Sequence, residues 1–486
     1  MTLPDPATPP RAEHPRPSAL LAVLCVATFM SGLDIFVVNV ALRPIGSALH
    51  EASLADLSWV LNAYAILFGA LLVPAGRLAD RYGVKGMFLF GLAVFTAGSL
   101  GSALSGDLWV LVALRCVQAV GAAALVPTSL GLILTGMPAA RVRRSIQIWS
   151  IAGSIGAAAG PAVGGLLVEA SWRWIFIINV PIGIAALVAA VVLAPDARHN
   201  HDTGIPDPVG GALLVLGIGA LSLALIQGPD WGWTGSRTLG AFAAALASLV
   251  LFVLRSRRAK VPVVNLDLFR NRNFSWANVA NFSLSIGFGI QLLGLVLWLQ
   301  EGWGWSAVHT GLCIAPGPVM VSVTALGLRR YTSKLPEGLV AAVGALVMAV
   351  GGVLIGTSVT AQPHYATEVL PGWLTIGVGV GLAVPTLITA ASARLAPHQT
   401  STGSAIVQMD RQIGSVLGVA VLVVVVGSSQ LTAHDLPRFT DSWWCSAGFI
   451  LLASLTSLAL LKREPAAPIP AGKHEVTTAV GAEAKA

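Results

Sequence analysis

Long apolar stretches separated by short polar segments dominate this chain. Averaged over about 19 residues, they fall near 18–41, 57–76, 86–105, 108–134, 146–168, 174–194, 208–227, 238–254, 274–299, 308–328, 338–359, 370–392, 403–427 and 442–461. A helix needs about 20 apolar residues to cross a bilayer. Helices suit lipid because each satisfies its own backbone hydrogen bonds. The pattern therefore predicts an all-α polytopic membrane protein with fourteen transmembrane helices.

The spans group as six, two and six. The expected organisation is an N-terminal tail (1–17), a six-helix bundle (18–194), a linker carrying two additional helices (195–273), a second six-helix bundle (274–461) and a polar tail (462–486). Two bundles joined in this way suit a transporter with pseudo-symmetric halves. The first 17 residues hold Arg11, Glu13 and Arg16 but no apolar core, so no cleavable signal peptide is expected and the first span directs insertion. From Pro465 onward, Lys473, His474 and Glu475 sit in an aperiodic Ala/Pro segment expected to be disordered.

Composition narrows the class. Of the 486 residues only 10% are charged, against about 25% in soluble domains, which excludes an ordinary soluble enzyme. The net charge of +7 does not point to nucleic acid, because the Lys and Arg residues lie between spans without aromatic stacking partners. They instead mark alternate loops: Arg77, Arg81 and Lys85; Arg141, Arg143 and Arg144; Arg198; Arg255, Arg257, Arg258, Lys260, Arg270 and Arg272; Arg329, Arg330 and Lys334; and Arg394. The opposite loops hold only Arg43, Arg173, Arg237 and Arg438. By the positive-inside rule the basic loops and both termini are cytoplasmic. The Ala/Gly bias, with Arg well above Lys, hints at a GC-rich bacterial genome. Cys25, Cys116, Cys313 and Cys445 lie in apolar runs without paired spacing, so neither a disulfide framework nor a metal site is expected.

Several polar residues break the apolar pattern where mechanism would need them. Arg115, in the fourth span, lies about 10 Å from its outer start, and Asp34, in the first, about 24 Å from its inner start, so both fall in the outer half. A charge at that depth needs a partner or water. The pair reads either as a proton switch, in which the Asp responds to the distance of the Arg, or as a permanent link between helices. The segment between the second and third spans, Gly76-Arg77-Leu78-Ala79-Asp80-Arg81-Tyr82-Gly83-Val84-Lys85, reads as a solvated basic loop or as a conformational lock through Asp80. In the fifth span Gly156, Gly160, Gly164 and Gly165 leave a smooth face, and Pro161 removes a backbone hydrogen bond and bends the helix. In the thirteenth, Gln408, Asp410, Arg411 and Gln412 interrupt an apolar helix about 10–15 Å from its inner end; they read as a latch between halves or as substrate or proton contacts. Trp298, Gln300, Glu301, Trp303 and Trp305 are expected in the outer aromatic belt.

Together these segments resemble the major facilitator superfamily, and within it the fourteen-span drug/proton antiporter branch of EmrB/QacA type. The stretch from Gly76 to Lys85 is similar to the signature loop, Arg115 and Gln118 to the fourth-span motif, and Gly156, Gly160, Pro161, Gly164 and Gly165 to the fifth-span antiporter motif. Leu33-Asp34 with Val37 to Leu42, Trp172 to Phe176 with Asn179 to Gly183, and Arg411 to Gly414 with Gly418 to Ala420 resemble this branch in particular. The chain departs from the pattern at Ala119, at Ile35 and Phe36, at Arg43 and at Asp410, where a neutral polar residue is commoner.

The resemblance implies alternating access by rocking bundles and proton-coupled efflux of antibiotics or other small amphipathic toxic compounds across the cytoplasmic membrane, including self-resistance in a producing bacterium. It makes Asp34 and Arg115 the proton-coupling pair. Gly76, Asp80, Arg81, Gly83 and Lys85 become the cytoplasmic gate, and Gly156, Gly160, Pro161, Gly164 and Gly165 the hinge. Gln118, Asp410 and Arg411 form a substrate or second titratable site. No enzymatic activity and no cofactor beyond the proton gradient are expected, since no nucleotide loop, metal-ligating set or catalytic nucleophile motif occurs. The expected partners are a small-molecule substrate, protons and the lipid bilayer. Export of an endogenous metabolite, peptide or siderophore is the alternative on the same fold, and a membrane-embedded enzyme or sensor a second one.

Overall fold

A computed structural model describes residues 17–50, 53–195, 204–332, 334–393, 395, 399–427 and 433–461. Arg11, Glu13, Arg16, Arg198, Arg394 and the tail containing Lys473, His474 and Glu475 lie outside the described residues, as does the side chain of Arg143. All regular structure among the described residues is helical, and fourteen helices are long and apolar enough to cross a membrane. In chain order these are α1 (Pro17–Ala48), α2 (Leu54–Tyr82), α3 (Val84–Leu104), α4 (Leu108–Gly136), α5 (Ala139–Ala170), α6 (Trp174–Leu193), α7 (Pro208–Trp231) and α8 (Ser236–Arg258). They continue with α9 (Arg272–Gly302), α10 (Ala307–Gly327), α11 (Glu337–Ser358), α12 (Leu370–Ser392), α13 (Thr400–Val426) and α14 (Leu436–Leu461).

Several helices outrun their apolar windows because charged residues that favour helix continue them into the polar region. The clearest case is the stretch expected as a loop after the second span. Residues Gly76 to Tyr82 are the last two turns of α2, and Gly83 alone makes the connection to α3. Its φ of 105° is open to glycine and strained for any side chain, and its N–H caps the helix on the Ala79 carbonyl at 2.9 Å.

Within the first bundle α1 packs along α5, α3 along α4, and α4 along α2; within the second α11 packs along α12, and α9 along α13 and α14. The two bundles meet where α2 lies beside α13 and α5 beside α10. The close approaches of α5 to α10 lie at the end away from the basic loops, where a Cβ on Gly165 would contact Ala307 and one on Gly311 would contact Pro161. Toward the basic end, Gln147, Ser150, Ile151, Ser154 and Ile155 of α5 and Val319 and Val323 of α10 are exposed. Helices α5 and α10 thus approach most closely at the end away from the basic loops.

The extra pair α7 and α8 packs on the seam between α2 and α13. Leu214 and Ile218 of α7 and Phe252 of α8 share a buried cluster with Ile66, Ala70 and Val73 of α2 and with Ile406, Met409 and Ile413 of α13. Gln227 donates to Asp56 of α2 at 3.2 Å, which ties the end of α7 away from the basic loops to the first bundle.

Candidate functional site

Asp34 and Arg115 come together as their depths predict. Arg115 Nη1 donates to Asp34 Oδ2 at 2.6 Å, and the two side chains are 0% and 1% exposed. Asp34 Oδ1 accepts from Gln118 Nε2 at 2.8 Å, and the same Nε2 also donates to Ser99 Oγ at 2.7 Å. Gln118 Oε1 in turn accepts from Arg115 Nη1 at 2.7 Å. The guanidinium carbon stands 4.0 Å over the Tyr64 ring, a cation–π contact strengthened by the burial of both side chains. Helices α1, α2, α3 and α4 each contribute to this closed network.

Gln118 therefore belongs beside the α1–α4 ion pair. The structure does not bring it to Asp410 and Arg411 on α13, with which the sequence grouped it. The one-turn offset from Arg115 to Gln118 puts both on one face of α4. Ser99 and Tyr64 went unmarked in the sequence because a serine or tyrosine in an apolar span carries no periodic signal.

The fifth-span glycines face two ways. Gly156 meets the Phe29 carbonyl, Cβ atoms on Gly160 and Gly164 would stand 2.7 Å from Phe36 Cβ and 2.8 Å from Val37 Cγ2, and all three neighbours lie on α1. Gly165 is rotated about 100° from Gly164, and a Cβ there would lie 2.5 Å from the Ala307 carbonyl oxygen on α10. Adjacent glycines let one helix pack closely against its own bundle and against the other.

At the basic end Gly76 lies near Pro127 of α4, Asp80 is exposed, Arg81 stacks on Tyr82 with its guanidinium carbon 5.6 Å from the ring, and Lys85 opens α3. On α13, Asp410 accepts from Asn281 Nδ2 of α9 at 3.0 Å, while Arg411 is partly exposed.

The outer-belt expectation needs correction at Trp298, Gln300 and Trp303, which are buried. Trp298 is fully buried against Phe439 and Trp443, at the start of a π-helical last turn of α9 over Trp298–Gly302. Glu301 pairs with Arg43 of α1 at 3.3 Å. Arg43 Nη1 also donates to the Gln300 carbonyl at 2.6 Å, and Gln300 Nε2 donates to the Val40 carbonyl at 3.0 Å. Three polar contacts thus clip α1 to α9 across the bundle interface. Arg43 stood out in the sequence only as an interruption of a familiar pattern, and its partners lie 257 residues away.

Fourteen membrane-length helices, a buried Asp–Arg pair between α1 and α4 and a glycine-faced α5 packed against α1 and α10 define a membrane transporter. The chain belongs to the Major Facilitator Superfamily, whose family model matches residues 24–419. It is 33% identical to the methylenomycin A resistance protein of Bacillus subtilis, covering 91% of this chain and 93% of that one. It is 34% identical to the tetracenomycin C resistance and export protein of Streptomyces glaucescens, covering 90% and 80%. The fold is similar to that of the POT family transporter PepTSo, with a TM-score of 0.67 at 14% identity over 91% of this chain and 97% of that one.

Proposed function

We propose that this protein is a proton-coupled antiporter that exports antibiotics or other small amphipathic toxic compounds across a bacterial cytoplasmic membrane. The resistance and export proteins of Bacillus and Streptomyces that it resembles along most of its length support this reading. In our reading the basic end is cytoplasmic, both termini lie on that side, and the conformation described above is open to the cytoplasm.

The buried contact of Asp34 with Arg115 at 2.6 Å carries the proposed coupling. In this conformation both carboxylate oxygens of Asp34 accept hydrogen bonds, one of them from the Arg115 guanidinium. Opening the outer side requires α1 and α5 to move relative to α9 and α10. If that motion separates Asp34 from Arg115, it leaves a buried charge without compensation, at a cost of several kcal/mol, and a proton taken from outside neutralises it. Return to the cytoplasm-open state restores the pair and expels the proton inward. Asp80, Arg81 and Lys85, with Gly76 and Gly83 shaping the α2–α3 turn, act as the cytoplasmic gate that closes when the outer clip opens.

Uptake of a dye or antibiotic into inverted vesicles, with and without a protonophore, tests the reading. Uptake is expected to be protonophore-sensitive in the wild type and absent in Asp34→Asn at equal protein level. Uptake by Asp34→Asn that is still blocked by the protonophore would remove Asp34 from the coupling.

A further inference from the structure

Along α13, Ser404, Gln408, Arg411 and Ser415 are partly exposed, while Val407, Met409, Gln412, Ile413, Gly414 and Val416 are buried. Their spacing of four, three and four places the four polar residues within an arc of about 60°. The flanks of that arc are occupied. On one side Asp410 and the Val407 carbonyl bond Asn281 of α9, and Gly414 packs on Phe282. On the other, Met409 and Gln412 meet Gly69 of α2, and Ile406 and Ile413 join the cluster under α7. The polar stripe therefore faces the space between the two bundles.

The charges inside the spans are not equivalent. Arg115 is neutralised by Asp34 and Asp410 is held by Asn281. Arg411 has no hydrogen-bond or ion-pair partner among the described residues, and Gln408 Oε1 is buried without one. An unpaired guanidinium at membrane depth is costly and is found facing water-filled cavities on substrate pathways. Its planar donor fork matches an oxyanion in bidentate geometry.

We propose, building on the export reading, that the Ser404–Gln408–Arg411–Ser415 stripe is the polar half of the export site. It takes amphipathic compounds that carry an acidic group ionised at neutral pH, such as a carboxylate or an acidic enol. The acid pairs with Arg411, Gln408 and the serines bond neighbouring oxygens, and the apolar body of the ligand lies against the rest of the cavity.

The test uses a fluorescent aromatic carboxylate, its uncharged methyl ester and a quaternary-ammonium dye of similar size. Uptake into inverted vesicles is measured together with binding to the purified full-length protein by tryptophan quenching. The wild type is expected to favour the acid over its ester about tenfold, the scale of one hydrogen-bonded charge pair. The acid-to-ester ratio is expected to fall to near one in Arg411→Gln and to recover in part in Arg411→Lys. Equal binding of acid and ester by the wild type, or preference for the cationic dye, overturns the proposal even if the variants fail to fold. Preferential binding of the acid without protonophore-sensitive uptake of any probe would leave this site standing and overturn the export reading instead.

Discussion

Gly165 of α5 stands so close to α10 that a Cβ would lie 2.5 Å from the Ala307 carbonyl oxygen. Backbone cannot yield as a flexible side chain can, so a larger residue here must push the outer ends of the bundles apart. Gly165→Val is expected to raise labelling of Thr310→Cys, a position fully buried on α10 in this conformation, by a membrane-impermeant thiol reagent from the outer side several-fold and to slow export. Unchanged labelling would mean that α5 and α10 do not set the outer closure.

The neighbouring Gly164 makes the opposite prediction. Its clashes are with Val37 and Val40 of α1, inside the same bundle, so Gly164→Val strains the bundle without prising the halves apart. Overpacking of this kind costs about 1–3 kcal/mol. A lower melting temperature in detergent is expected, with Thr310→Cys labelling as in the wild type.

Arg115 and Asp34 are expected to be coupled strongly. Arg115→Gln leaves the Asp34 carboxylate buried without its cation and is expected to destabilise by about 3–5 kcal/mol. Adding Asp34→Asn removes the uncompensated charge, so the double variant should regain most of the lost melting temperature while remaining unable to couple transport to protons. Additive losses in the double variant would argue against a direct pair.

The outer clip should tune the conformational balance without deciding it. The Arg43 side chain is 46% exposed, and exposed ion pairs contribute about 1 kcal/mol or less. Arg43→Ala is expected to shift the equilibrium toward the outward-open form by up to about fivefold, read by accessibility of Val40→Cys, a position buried in this conformation. A complete loss of outer closure would show that the clip carries more than its geometry suggests.

Asp207, just before α7, accepts two hydrogen bonds from Arg255 at the end of α8, at 2.8 and 3.0 Å. Those bonds hold its carboxyl below the usual carboxylate range. A group whose pKa is lowered on folding stabilises the fold above its unfolded value, about 4, and loses that contribution as pH falls through the lower folded value. Asp207→Asn should therefore melt below the wild type at neutral pH, with the gap closing below about pH 4. A gap independent of pH would assign the loss to the helix cap instead of the charge pair.

The residues themselves determined the span count, the segregation of basic loops and the matching depths of Asp34 and Arg115, because hydrophobic thickness and helical rise are local properties. They also marked the α5 glycines, though not that Gly164 and Gly165 serve different neighbours. What the tertiary structure decided is partnership across long separations. It gave Gln118 to Asp34 and Ser99, joined Arg43 to Gln300 and Glu301, and set α7 and α8 over the α2–α13 seam. It also gave Asp410 to Asn281 of α9 while its neighbour Arg411 points elsewhere on the helix. A helix's sequence sets the angle between its side chains, but only its packed neighbours decide which angle meets lipid, protein or cavity. Pairs more than 80 residues apart leave no trace in local periodicity.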